Sequence, residues 1–165
     1  MSAKTKLVLV WLVIILISDQ LTKFIVDQSM PLHHSIPVID DLFSLTYIRN
    51  TGAAFGIFAG SAAAFRLPFL IVFSLVAIGF VVAMLRRLSE RETGLITALA
   101  FILGGAIGNL IDRLAYGEVI DFLDFYWSGY HWPAFNVADS FITMGVAITV
   151  FYLIKAKGHD PFARS

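Results

Sequence analysis

The chain has 165 residues, of which 58% are hydrophobic and only 15% are charged, and its mean hydropathy is +0.81. A soluble domain has about 45–50% apolar and about 25% charged residues, so the composition indicates a membrane protein. The formal net charge of zero gives no sign of a nucleic-acid partner. Because the chain has no cysteine, disulfides, cysteine metal ligands and a cysteine nucleophile are excluded.

Four apolar segments are long enough to cross a bilayer as helices, which takes roughly 20 residues. The first begins like a secretory signal peptide, but Ser18, Asp19, Gln20 and Lys23 follow instead of a small-residue cleavage site. We therefore predict one membrane-embedded domain over residues 1–165, mainly α, an integral membrane bundle of four transmembrane helices. The predicted spans are residues 7–26, 67–85, 94–113 and 137–154, and the two long loops are residues 27–66 and 114–136.

The two long loops contain strand-like patterns. Residues 43–48 alternate with a period of two, and residues 49–52 are typical of a turn. The second loop alternates in the same way over residues 119–125. Residues 53–65 are apolar and glycine-rich but too short for a span, which indicates an interfacial or re-entrant piece.

The second and third apolar segments contain proline and glycine residues at positions that bear on helix packing and helix start. Gly104 and Gly108 form a small-xxx-small pair in the third span, a spacing that lets another helix approach closely. Pro68 stands near the start of the second span, where its missing N–H costs little. We expect the second loop to supply an aromatic belt at the outer membrane surface. The residues of this belt are Tyr126, Trp127, Tyr130 and Trp132.

The basic residues predict the orientation. Four spans place both termini on one side of the membrane, and eight of the twelve Lys and Arg residues belong to that side. These are Lys4, Lys6, Arg86, Arg87, Arg91, Lys155, Lys157 and Arg164. The positive-inside rule then places the termini in the cytoplasm and both long loops outside.

Polar residues from separate segments are predicted to meet at the outer membrane–water boundary. A carboxylate within a span costs roughly 2.5–3.5 kcal/mol on insertion scales, so such a group is by default a functional-site hypothesis. Asp19 and Lys23 lie four residues apart on one helical face, in the order that favours an ion pair. The convergent residues are Asp19, Lys23, Asn50, Asn109, Asp112, Arg113, Asp121, Asn136 and Asp139.

Two of these residues, Asp121 and Asp139, suggest acid–base catalysis. Neighbouring carboxylates can share one proton, and then one acts as base toward water while the other acts as acid toward a carbonyl. This is aspartic-protease chemistry, which uses no metal or cofactor. The helix dipole favours the charged form of Asp139, and Asp121 would hold the proton. We expect Asp121 on a loop that can shift and Asp139 on a fixed helix end.

Simpler roles remain open at this point. Asp139 follows Asn136 at a helix start, so the two fit plain capping residues. Asp121 fits a solvated loop acid, as do Asp124, Asp40 and Asp41. Asp19 and Lys23 fit a structural pair, and Arg113 fits a residue that snorkels to lipid headgroups. His33 and His34 have no evident third ligand, so no metal site is predicted.

The ordered motifs closely resemble those of bacterial lipoprotein signal peptidase, or signal peptidase II. The resemblance covers residues 17–150 and includes the order of the four spans and two outer loops. The motifs that carry it are Ser18–Lys23, Asn50–Gly56, Gly104–Arg113, Val119–Phe122 and Phe135–Ser140. Each motif alone is weak, but five in this order are specific.

The resemblance implies a function for the predicted site. It implies an endopeptidase of the bacterial inner membrane that cleaves prolipoproteins before their lipid-modified cysteine, is blocked by the cyclic peptide globomycin, and acts at the outer face. It implies catalytic roles for Asp121 and Asp139. It implies roles in holding the site or the substrate for Asp19, Lys23, Asn50, Gly105, Asn109, Arg113 and Asn136. It also implies a small extracytoplasmic β-cradle and a short helix over the site, matching residues 38–65.

Three other readings compete with this one. A proton-coupled transporter or channel would use Asp19 and Asp139 as relay carboxylates, but relays should be spread through the depth of the membrane. A structural protein that binds partners through its aromatic loops gives no reason for five polar motifs at one level. A presenilin-type protease carries its aspartates inside spans with a GxGD pattern, which this chain lacks.

Overall fold

The computed structural model describes residues 1–52 and 63–155. The predicted interfacial piece falls largely on residues 53–62, outside the described part of the chain. The helices are α1 (Ala3–Ser29), α2 (Ala63–Arg87), α3 (Thr93–Tyr116) and α4 (Val137–Lys155). The strands are β1 (Ser35–Ile39), β2 (Phe43–Asn50), β3 (Val119–Trp127) and β4 (Tyr130–His131). All four helices are long and apolar enough to cross a membrane, which confirms the predicted four-helix membrane architecture.

The third helix is the centre of the bundle, because α1, α2 and α4 all pack against it. Its glycines allow the close approach. A Cβ at Gly105 would lie 2.3 Å from the backbone oxygen of Ala138, and one at Gly104 would lie 2.9 Å from the Ile15 side chain. The predicted packing role of Gly104 and Gly108 is thus confirmed, since a Cβ at Gly108 would also lie 2.6 Å from the Asp19 carboxylate, and Gly105 adds a backbone contact that only glycine permits.

The second helix is the most peripheral. It begins at Ala63, four residues before the predicted span, so Pro68 lies inside the helix instead of at its start. Its aromatic side chains Phe65, Phe69 and Phe73 are stacked along an exposed face. An apolar face that none of the described elements covers suits contact with lipid chains.

The four strands form antiparallel pairs in the order β1-β2-β3-β4. The predicted alternation in both loops is confirmed by β2 and β3. Asp121 lies within β3, opposite Ile48 of β2, and only 2% of it is exposed. The expectation that Asp121 arrives on a loop that can shift is therefore wrong, because ladder hydrogen bonds hold its backbone.

The two ends of the bundle differ. At the end that carries the connection between α2 and α3, the Lys4 ammonium donates to the Leu88 carbonyl at 2.8 Å, and Gly94 lies against the Tyr152 ring. At the other end, α3 stops at Gly117, whose left-handed φ of 75° turns the chain into β3. The sheet, the last turns of α1 and α3, and the first turn of α4 meet there.

Candidate active site

Asp121 is a buried carboxylate on the central strand pair. Its two oxygens accept hydrogen bonds from the side-chain amides of Asn50, at 2.9 Å, and Asn136, at 2.7 Å. Burial, and next the nearby charge of Asp139, raise the pKa of Asp121 to about 7 although both amides oppose the shift. A carboxyl group in this state carries or releases a proton near neutral pH.

Asp139 lies in the first turn of α4. Its backbone N–H donates to the Asn136 side-chain oxygen at 2.9 Å, and its carboxylate accepts from the Asn136 N–H at 3.4 Å. This reciprocal pair of hydrogen bonds is a capping box, so Asn136 and Asp139 do cap the start of α4. The other carboxylate oxygen accepts from the Asn109 amide at 2.7 Å. Asp139 therefore caps its helix and faces Asn109 at the same time.

Two asparagines connect the aspartates. Asn109 donates to Asp139, while Asn136 donates to Asp121 and, at 3.2 Å, to the Asn109 side-chain oxygen. Asn136 is completely buried and also donates to the Ile120 carbonyl. An unbroken chain of amides thus runs from one carboxylate to the other and orients both.

A buried network of charged residues contacts Asn109 on the side away from the aspartates. The Lys23 ammonium lies 2.8 Å from both Asp19 and Asp112 and donates to Asn109 at 3.1 Å. Since an ammonium has three donors, all of them are used. The predicted Asp19–Lys23 pair is confirmed, and Asp112 completes it.

The network also fixes the backbone on either side of the site. Asp19 accepts from the Ala138 N–H at 2.9 Å, next to Asp139. Asp112 accepts from the Ile120 N–H at 3.3 Å, next to Asp121. Gln20 donates to both of these carboxylates. The sequence analysis did not assign a role to Gln20. Two features could have indicated one, namely its position beside Asp19 and its polar side chain within a transmembrane span.

The two aspartates line one open cavity of about 730 Å³. Asn50, Asn109 and Arg113 also line it, whereas Asp19, Lys23, Asn136 and Gly105 lie outside the lining and support it. Arg113 donates to the Gly52 and Asn109 carbonyls, so its contacts lie at the site. Much of the remaining lining is an apolar wall. It includes Trp132, Pro133, Phe135, Ile142 and Met144.

Asp124 differs from its predicted solvated state. It is buried, accepts from the Thr46 hydroxyl at 3.3 Å and lies 3.0 Å from His131. These contacts join β2, β3 and β4 outside the cavity. Asp40 and Asp41 are exposed as expected. In the described residues, no group of three or more His, Asp or Glu forms a candidate metal site.

Comparison with known proteins is in line with this geometry. The family profile described as signal peptidase (SPase) II matches residues 11–155. A protein of Geobacter sulfurreducens named lipoprotein signal peptidase is 54% identical over 140 residues, covering 85% of this chain and 86% of that protein. Another of the same name, from Syntrophus aciditrophicus, is 47% identical over 142 residues, covering 86% and 88%.

Solved structures share the fold. One described as a bacterial membrane enzyme, determined by the in meso method, has a TM-score of 0.83 and 32% identity, covering 93% of this chain and 90% of its own. A second with the same description has a TM-score of 0.79 and 33% identity, covering 90% and 92%. The fold and site therefore define a polytopic membrane peptidase. The chain belongs to the signal peptidase II family.

Proposed function

We propose that the chain is an aspartic endopeptidase that removes the signal peptide from diacylglyceryl-modified prolipoproteins, cleaving before the lipid-modified cysteine. The observation that carries the proposal is the pair Asp121 and Asp139, linked by Asn109 and Asn136 at the wall of one cavity. Relatives that carry the name lipoprotein signal peptidase support the substrate class.

The charges of the site favour one proton shared by the dyad. Arg49 at the cavity wall is paired with Asp27, which leaves Lys23 and Arg113 as the cations that face four carboxylates. These are Asp19, Asp112, Asp121 and Asp139. Because two close carboxylates do not readily ionise together, a single proton on the dyad lowers the excess negative charge. The raised pKa of Asp121 makes it the proton carrier.

The reaction follows from that charge state. Ionised Asp139 takes a proton from water as the water oxygen bonds to the scissile carbonyl carbon, and Asp121 gives its proton to the carbonyl oxygen. The C–N bond of the tetrahedral intermediate then breaks, and the leaving nitrogen receives the proton from Asp139. Asp121 recovers its own proton from the hydroxyl group, so the dyad returns to its starting state.

The cavity suits a substrate that stays in the bilayer. Ile142 and Met144 lie further along α4 than Asp139, so the apolar wall extends from the dyad toward the membrane-spanning part of the helix. A diacylglyceryl chain along this wall keeps its contact with lipid while the peptide bond reaches the carboxylates. We propose that globomycin inhibits the chain by occupying the same cavity.

The transporter alternative has less support. Within the described residues, the buried ionisable groups all lie at the end of the bundle that carries the sheet. They are Asp19, Lys23, Asp112, Asp121 and Asp124. A proton relay needs such groups along the depth of the membrane.

The test is prolipoprotein cleavage in reconstituted vesicles by Asp121→Asn and Asp139→Asn. We expect each variant to lose at least about a hundredfold in rate, since acid–base groups contribute roughly 10²–10⁴-fold. Asp124→Asn is the matched control, because Asp124 is a buried aspartate of the same strand that does not line the cavity. A dyad variant that cleaves as fast as this control would refute the mechanism.

A further inference from the structure

A second cavity lies at the end of the bundle opposite the aspartates. The helices α1 and α2 both pack on α3 but hardly touch each other. The groove between them has a volume of about 320 Å³, with Leu103 of α3 as its floor. Val8 of α1 and Val82 and Leu85 of α2 form its apolar walls.

Two cations lie at the end of this groove, each about one helical turn from an apolar residue of the lining, Val8 for Lys4 and Val82 for Arg86. The Lys4 ammonium donates to the Leu88 carbonyl at the end of α2, which uses one of its three donors. Arg86 is exposed and makes no ion pair with any described residue. None of the described residues that line the groove is acidic. The groove is therefore positive at this end and apolar within.

This combination matches the two parts of an acidic phospholipid. We propose that the groove binds one such lipid, with its phosphate between Lys4 and Arg86 and one acyl chain along Val8, Val82 and Leu85. Basic pockets between transmembrane helices are known to accommodate anionic headgroups. A zwitterionic lipid has the same phosphate but adds a cationic group, which Lys4 and Arg86 disfavour.

The bound lipid would stabilise the packing of α2 against the rest of the bundle. Among the described elements, α2 packs mainly on α3, and its opposite face is exposed. A lipid seated between α1 and α2 would contact both helices and bridge their ends through its phosphate. It would therefore stabilise the bundle without reaching the aspartates.

Native mass spectrometry tests this site directly. The purified chain is mixed with equal amounts of dioleoylphosphatidylglycerol and dioleoylphosphatidylcholine, which share acyl chains and differ in headgroup charge. We expect one retained lipid per chain and roughly a tenfold preference for phosphatidylglycerol. Equal retention of the two lipids by the wild-type chain would overturn the proposal.

Variants separate the groove from general charge attraction. The double variant Lys4→Gln, Arg86→Gln should lose the preference, whereas Arg87→Gln, Arg91→Gln removes two cations outside the groove and should keep it. Val8→Trp fills the groove with all charges intact and should release the lipid. Loss of preference in the Arg87, Arg91 control, or an unchanged lipid in the Val8 variant, would contradict the assigned site. Circular dichroism verifies that each variant retains its helices.

Discussion

At the scale of single residues, the two aspartates differ in what surrounds them. Asp121 receives two amide donors on a buried strand, and its pKa is raised to about 7 by burial and by Asp139. Asp139 is engaged by its own helix start and by Asn109. Asp139 thus also caps a helix, whereas Asp121 has a pKa near neutral pH.

The raised pKa of Asp121 predicts the alkaline limit of activity. If protonated Asp121 is the acid, kcat/KM should fall about tenfold per pH unit above about pH 7. The Asn50 amide stabilises the charged form, so Asn50→Ala should raise this pKa and move the alkaline limb to higher pH. Cleavage measured across the pH range checks the shift, and a limb that stays in place or moves lower contradicts it.

Asn136 has a capping role and a proposed positioning role that can be separated. Asn136→Ser keeps a good cap for α4 but loses the amide that donates to Asp121. We expect a cleavage rate reduced by at least about tenfold. Thermal stability should fall because Asp121, Asn109 and Ile120 lose a buried donor, but it should fall further in Asn136→Ala, which also loses the cap. Cleavage by Asn136→Ser at the wild-type rate would show that Asn136 only caps α4 and does not position Asp121.

At the scale of elements, α3 and β3 determine where the site forms. The α3 glycines bring α4 against α3, while the β2–β3 ladder holds Asp121. Asp19 and Asp112 then tie the first turn of α4 and the start of β3 to the Lys23 ammonium. The site therefore depends on four elements, α1, α3, α4 and β3, that are joined through one buried cation.

Gly105 tests the close contact of α3 and α4. An added Cβ would lie 2.3 Å from the Ala138 backbone oxygen, so Gly105→Ala must displace the start of α4. We expect a loss of about 1–3 kcal/mol in unfolding free energy and a lower cleavage rate. Gly79→Ala is the control, because nothing lies within 4 Å of its Cβ and alanine favours helix. Equal stability of the two variants would show that the contact relaxes freely.

At the scale of the whole molecule, the basic residues at one end of the bundle predict its orientation in the membrane. The positive-inside rule puts the end with Lys4 and Arg86 in the cytoplasm and the aspartates at the outer face. The exposed rings of Trp127, Tyr130 and Trp132 fit an outer aromatic belt. In this predicted orientation, the proposed dyad would meet a lipid-anchored substrate at the surface of the membrane.

The absence of cysteine makes the orientation measurable. Single-cysteine variants Tyr130→Cys, in the sheet, and Ser89→Cys, between α2 and α3, are treated with a membrane-impermeant maleimide on intact spheroplasts. We expect labelling at position 130 at once and at position 89 only after permeabilisation. The reverse pattern would overturn both the orientation and the proposed outer-face site.

Much of the architecture could be predicted from the sequence. The four spans follow from apolar length, and β2 and β3 follow from alternation, since both signals are local in the chain. The predicted site residues also come together, because two long loops and three helix ends leave few other places for polar groups. The helix ends were less predictable, as the early start of α2 before Pro68 shows.

The sequence alone determined the membrane class, the spans, the strands β2 and β3 and the family motifs, because each depends on neighbouring residues, whereas β1 and β4 were not predicted. Only the tertiary structure decided which partners the buried charges take. Lys23 is shared by Asp19 and Asp112, Asp121 takes its amide donors from Asn50 and Asn136, and Asp124 is buried beside His131. Those pairings depend on the packing of distant elements, since a buried charge is stable only where another element supplies its partner.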